Sequence, residues 1–71
     1  MGNFGDVKPV GGSVSEMRIH YGPGYRVYFM RQGRQIVILL AGGDKTTQRQ
    51  DIVLAQQLAK AIHEEMGNGT T

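Results

Sequence analysis

Ser15-Glu16-Met17-Arg18-Ile19-His20-Tyr21-Gly22-Pro23-Gly24-Tyr25-Arg26-Val27-Tyr28-Phe29 is the stretch on which the fold turns. Before the break at Gly22-Pro23-Gly24, Met17, Ile19 and Tyr21 fall on one side of an extended chain and Glu16, Arg18 and His20 on the other. After it, Tyr25, Val27 and Phe29 share a side, opposite Arg26, Tyr28 and Met30. A period of two is the strand signature, because successive side chains leave a strand on opposite faces. Two such runs around a Gly-Pro-Gly break predict an antiparallel hairpin. A three-residue loop at 22–24 would set Tyr21 opposite Tyr25, Ile19 opposite Val27 and Met17 opposite Phe29. It would also set His20 opposite Arg26 and Arg18 opposite Tyr28, a basic and aromatic cluster on the other face.

Working outward, Gln32-Gly33 suits a two-residue turn, since glycine takes positive φ at no steric cost. A strand from about Gln35 to Ala41 follows, with Phe29 facing Ile36 and Val27 facing Ile38. Ile36-Val37-Ile38-Leu39-Leu40 is apolar on both faces, and such a strand wants cover on both sides of its sheet. Upstream, Asp6-Val7-Lys8-Pro9-Val10 reads as a short strand turning at Gly11-Gly12, and Pro9, which has no amide hydrogen, places it at an edge. Downstream, Gly42-Gly43-Asp44-Lys45 is a loop, and Thr46 or Thr47 starts a helix, with Thr47 and Gln50 spaced as a capping box. Ile52, Ala55, Leu58, Ala59 and Ile62 form its apolar stripe, and Gly67 ends it. The expected fold is α+β: a small antiparallel sheet of about four strands in hairpins, then one C-terminal helix. Residues 1–66 make a single domain and 67–71 a flexible tail.

Composition narrows the function classes. A chain of 71 residues holds one small core, and with no cysteine neither a disulfide nor a thiolate metal site supplements it. His20 and His63 with scattered carboxylates do not make a metal site, and no cofactor is implied. No apolar run nears the roughly 20 residues that span a bilayer, so no membrane association is expected and a cytoplasmic setting fits. The net charge of +2 divides unevenly: residues 1–50 carry +4 and residues 51–71 carry −2. A basic front suits a polyanion-facing surface, although ordinary surface charge explains the imbalance equally well.

Three blocks carry a family resemblance. SEMRIHYGPGYRVYF (15–29), with Gly24-Tyr25-Arg26 leading into the second strand, resembles the central hairpin of RelE/ParE-superfamily toxins of the HigB-like "addiction module killer protein" branch. FGDVKPV (4–10) resembles the segment ahead of that hairpin, and AGGDKTTQ (41–48) the loop where these toxins place a basic residue. The resemblance runs from about Asn3 to Ile62. Relatives begin with a further strand and a helical hairpin that cover one face of the sheet. This chain starts where that hairpin should be ending, so a truncated core is expected, with its uncovered apolar face closed by homodimerisation.

The resemblance implies a toxin of a bacterial type II toxin–antitoxin module, neutralised by a cognate antitoxin and cutting mRNA on the ribosome without a metal. Cleavage by the RNA's own 2′-hydroxyl needs a proton acceptor, a proton donor and cations for the charge developing on phosphate. The candidates are His20 as acid or base, Arg18 and Arg26 as phosphate clamps, and Lys45 as a further cation. Tyr28 would stack on a base, and Arg49 would add to the nucleic-acid surface. The tyrosine or histidine that some relatives bring from the C-terminal region has no clear match, which puts activity of this chain in doubt. A non-enzymatic toxin core, or a gyrase-directed toxin of the ParE branch, is the alternative. Each candidate also has a plain reading. His20 can be a solvated strand residue, Arg18 and Glu16 an exposed ion pair of little energetic value, and Met17, Tyr21 and Tyr25 core side chains.

Overall fold

A computed structural model of the chain describes residues 6–34 and 36–68. Four strands, β1 (Val7–Gly11), β2 (Val14–Ile19), β3 (Tyr25–Gln32) and β4 (Ile36–Asp44), form one antiparallel sheet in the order β1-β2-β3-β4. A single 3₁₀ turn, Lys45–Thr47, leads into α1 (Gln48–Asn68), which packs across the sheet. The expected α+β architecture is the observed one. The helix runs through Gly67 to Asn68, and the remainder of the expected tail, like Phe4, Gly5 and Gln35, lies outside the described residues.

The turns explain the strand boundaries. Gly12 and Ser13 both take positive φ (63° and 67°), the pairing that a two-residue turn between right-twisted strands requires. Pro9 lies on β1 at the sheet edge, where its missing amide hydrogen breaks no ladder. Gly11 and Gly12 also leave room for the Gln56 side chain, whose Nε2 donates to the Val10 carbonyl at 2.9 Å and ties the helix to the edge strand.

The registers differ from those expected. In the first hairpin Ile19 faces Tyr25, Arg18 faces Arg26, Met17 faces Val27 and Glu16 faces Tyr28. The loop is therefore residues 20–24, tightened by Tyr21 N donating to Ile19 O and Gly24 N to Tyr21 O. This two-residue slip preserves the faces but moves every partner. In the second hairpin Gln32 faces Ile36, so the turn is three residues long, and Gly33 supplies its positive φ of 66°. A bulge then places Phe29 opposite Leu39 but Tyr28 opposite Ala41, with Leu40 as the extra residue. Ile38, Leu40 and Ala41 consequently face the helix, whereas Val37 and Leu39 join Phe29 on the far side. The expected grouping of Ile36, Ile38 and Leu40 with Val27 and Phe29 does not occur.

The larger correction is which face the helix covers. The core is Val14, Tyr28 and Met30 from the sheet against Ala55 and Ala59 from α1, with Ile52 and Ile62 flanking them. The alanines bring the helix backbone close to the sheet. Leu58, expected in the stripe, lies at its margin and is 39% exposed. The face that alternation marks as polar, carrying Glu16, Arg26 and Tyr28, is thus the covered one. The apolar face keeps Leu39 at 70% and Val37 at 55% exposure.

Candidate functional site

The site begins where β2, β3 and the end of β4 meet the 20–24 loop. Arg18, Ile19, His20, Pro23, Gly24, Tyr25, Arg26 and Lys45 line a cleft of about 170 Å³. The four side chains proposed for chemistry from sequence, Arg18, His20, Arg26 and Lys45, therefore surround one cleft. Arg18 and Arg26 do so because they are directly opposed across the β2–β3 ladder. Lys45 arrives from the other side, placed by the 3₁₀ turn that follows β4. His20 Nε2 lies 2.8 Å from Asp6 Oδ2, with both side chains more than half exposed. That pairing orients the imidazole and leaves it in contact with solvent.

Two like charges directly opposite on a sheet repel each other and need a counter-charge. Glu16 supplies it. Its side chain is fully buried, with Arg18 Nε and Arg26 Nε each 3.8 Å from its carboxylate oxygens and Lys8 Nζ at 4.0 Å. The Tyr28 hydroxyl donates to Glu16 Oε2 at 3.1 Å and Gln48 Nε2 donates to the same oxygen at 3.0 Å. The simple reading of Glu16 and Arg18 as an exposed surface pair is overturned, because α1 closes over the carboxylate. Sequence reasoning missed Glu16 as a site residue. Its signal was present as the one acidic side chain among Lys8, Arg18 and Arg26 on a shared strand face, but the expected register did not bring it to Tyr28.

Tyr28 is corrected as well. It lies beneath the helix with no exposure, so its ring presents no face to a base. Burial first, then the hydrogen bond to Glu16, pushes its hydroxyl from an ordinary value of 10.0 up to about 12. The exposed aromatics near the cleft are instead Tyr21 (77%) and Tyr25 (44%), both expected in the core. Arg49 is exposed in the first turn of α1 and does not line the cleft.

The Lys45 turn is capped from its own strand. Asp44 Oδ1 accepts from the Thr46 amide at 2.9 Å and from the Thr46 hydroxyl. The Thr47 hydroxyl donates to Asp51 Oδ2 at 2.6 Å, in place of the expected box with Gln50. Gly43 makes this closure possible, since a Cβ there would collide with Asp51 and Thr47. The Thr46 hydroxyl and amide bonds hold the Asp44 carboxyl below its ordinary value of 3.8. A depressed carboxyl stabilises the fold above its unfolded pKa and loses that contribution as pH falls through the folded one. The Thr46 amide should therefore keep its protection at neutral pH and lose it only below the usual carboxylate range, as an NMR pH titration would show. An Asp44→Asn variant should lack that transition.

A four-stranded antiparallel sheet packed against one C-terminal helix, with a basic cleft at one end, defines a small α+β protein. The chain belongs to the family described as Phage derived protein Gp49-like (DUF891), whose model matches residues 3–61. This is a toxin-like family related to RelE/ParE. The chain is also 52% identical over 61 residues to an uncharacterized protein of Haemophilus influenzae. That alignment covers 86% of this chain and 62% of the relative, so the chain spans less than two thirds of the relative's length. No solved structure matches the chain. Among the described residues no helix is long and apolar enough to cross a membrane, and no group of three or more His, Cys, Asp or Glu side chains is placed to hold a metal ion.

Proposed function

We infer that the chain is the toxin of a type II toxin–antitoxin module and that its cleft acts on mRNA at the ribosome, in the HigB-like manner. The observation that carries this reading is the convergence of Arg18, His20, Arg26 and Lys45 on one cleft. Three cations at its wall, Arg18, Arg26 and Lys45, match the phosphate and its developing charge, and the exposed imidazole of His20 brings a ring nitrogen to the same cleft. Tyr21 and Tyr25, exposed beside the cleft, take over the base-stacking part first assigned to Tyr28. The purified chain added to a translation extract should cut mRNA. Lys45→Ala, which removes an exposed cation without opening the core, should lower the rate about 10²–10³-fold, the usual loss when one charge-stabilising donor is removed. Folded wild-type protein that leaves mRNA intact would sink the nuclease reading and leave the non-enzymatic core or the gyrase-directed ParE type.

A second observation favours self-association. Met17, Phe29, Arg31, Arg34, Val37 and Leu39 line a groove of about 240 Å³ on the uncovered face. Along β3 that face runs from Tyr25 through Val27 and Phe29 to Arg31, aromatic at one end and basic at the other. Packing this face on a second copy would bury Phe29, Val37 and Leu39 at the end of the sheet away from Tyr25. Light scattering should give a dimer mass, and Leu39→Lys should give a monomer. A wild-type monomer that forms a one-to-one complex with the antitoxin would assign the face to the antitoxin instead.

A further inference from the structure

Glu16 is surrounded by more charge than it neutralises. Three cations lie within 4.0 Å of one carboxylate, yet Glu16 Oε1 and Arg26 Nε are both buried without a hydrogen-bond partner. Leaving a buried donor and a buried acceptor unpaired costs free energy, so the arrangement is not explained by fold stability alone. Its geometric consequence concerns Arg26, whose side chain is only 14% exposed and still lines the cleft. Left to itself beside Arg18 in the same ladder position, the Arg26 guanidinium would swing away from the like charge. Glu16 lies one diagonal step from it on the same face, itself fixed by the Tyr28 hydroxyl and Gln48.

We propose that Glu16 is the positioning residue of the cleft: its buried carboxylate holds Arg26 and Arg18 side by side, so that both guanidinium groups face one anion. Glu16 does not touch the anion and takes no proton in this role. It allows two cations to face each other across one ladder position with their charge turned to the cleft. This proposal rests on the anion-binding reading of the cleft, and the experiment separates the two.

The test uses Glu16→Gln, which keeps the shape and the capacity to accept from Tyr28 while removing the charge. Its probe is a fluorescently labelled single-stranded RNA oligonucleotide. Net charge and positioning predict opposite signs. One negative charge fewer near the cleft should tighten RNA binding if charge alone mattered. Positioning predicts weaker binding, by about 10-fold, with the salt dependence reduced by about one phosphate contact. Equal or tighter RNA binding by the folded variant would overturn the proposal. Exchange of the Arg26 Nε–H, followed by ¹⁵N NMR, gives a readout independent of RNA. It should be slow in the wild type and faster in Glu16→Gln. Wild-type exchange as fast as that of the exposed Arg49 would overturn the proposal even if the variant does not fold. Wild-type protein with a slow Arg26 Nε–H that binds no RNA would instead refute the anion-binding reading, while Glu16 would still hold Arg26.

Discussion

Replacing Tyr28 with alanine should destabilise the protein by about 3–5 kcal/mol, the cost of deleting a large aromatic side chain from a packed core. In a chain of 71 residues a loss of that size rivals the whole stability, so Tyr28→Ala is expected to be unfolded by far-UV circular dichroism at 25 °C. Tyr28→Phe isolates the polar part. It keeps the ring between Met30 and the helix alanines and removes the proton offered to Glu16, leaving a buried carboxylate oxygen one donor short at about 1–3 kcal/mol. The pH dependence follows from the same contact. A group whose pKa is raised on folding stabilises fully below its unfolded value and loses that contribution as pH rises toward the folded one. Denaturant stability should hold up to pH 10 and fall between pH 10 and about 12, because a buried phenolate beside Glu16 is disfavoured. Tyr28→Phe should lack that alkaline fall. A wild-type stability that stays flat across this range would show that the hydroxyl is neither buried nor bonded to Glu16.

Arg26→Ala is the second large effect, and it strikes fold and site together. Removing one partner of a buried ion pair leaves the other charge uncompensated, typically at 3–5 kcal/mol. Lys8 and Arg18 remain within 4.0 Å of Glu16, which favours the lower end, about 3 kcal/mol. The cleft loses its least exposed cation at the same time, so under the proposed nuclease function mRNA cleavage should be abolished. A lost activity in this variant alone therefore says little about chemistry. The double variant Glu16→Gln/Arg26→Ala resolves it by removing the orphaned charge. Its denaturant midpoint should recover much of the loss, whereas its activity should not return. Recovery of activity along with stability would show that Arg26 serves the fold and not the anion.

Alternation in residues 14–31 was sufficient for the strands, because a period of two is a local property of an extended chain. It was also sufficient for which residues share a face within each strand. The cleft candidates were legible for the same reason: Arg18, His20 and Arg26 lie on one face, and the loop after β4 carries Lys45. Register was not legible. The first loop was set by hydrogen bonds within residues 19–24, and a three-residue turn after Gln32 reversed the expected faces of β4 until the Leu40 bulge restored them. None of these leaves a mark in an apolar pattern, since each is a choice among turns of similar local cost.

Element order, the edge position of the Pro9 strand and a strand, β4, apolar on both faces were all present in the residue pattern. Which face the helix covers was settled by packing. By hydrophobicity the helix belongs on Met17, Val27 and Phe29, but the chain leaves β4 through a tight Asp44-capped turn that delivers α1 to the opposite side. There Glu16, balanced by three cations and accepting a hydrogen bond from the Tyr28 phenol, can be buried, and Tyr28 becomes core. A charge is costly to bury alone and tolerable among opposite charges. That compensation depends on residues far apart in the chain, from Lys8 to Gln48, and so exists only once the sheet and helix have come together.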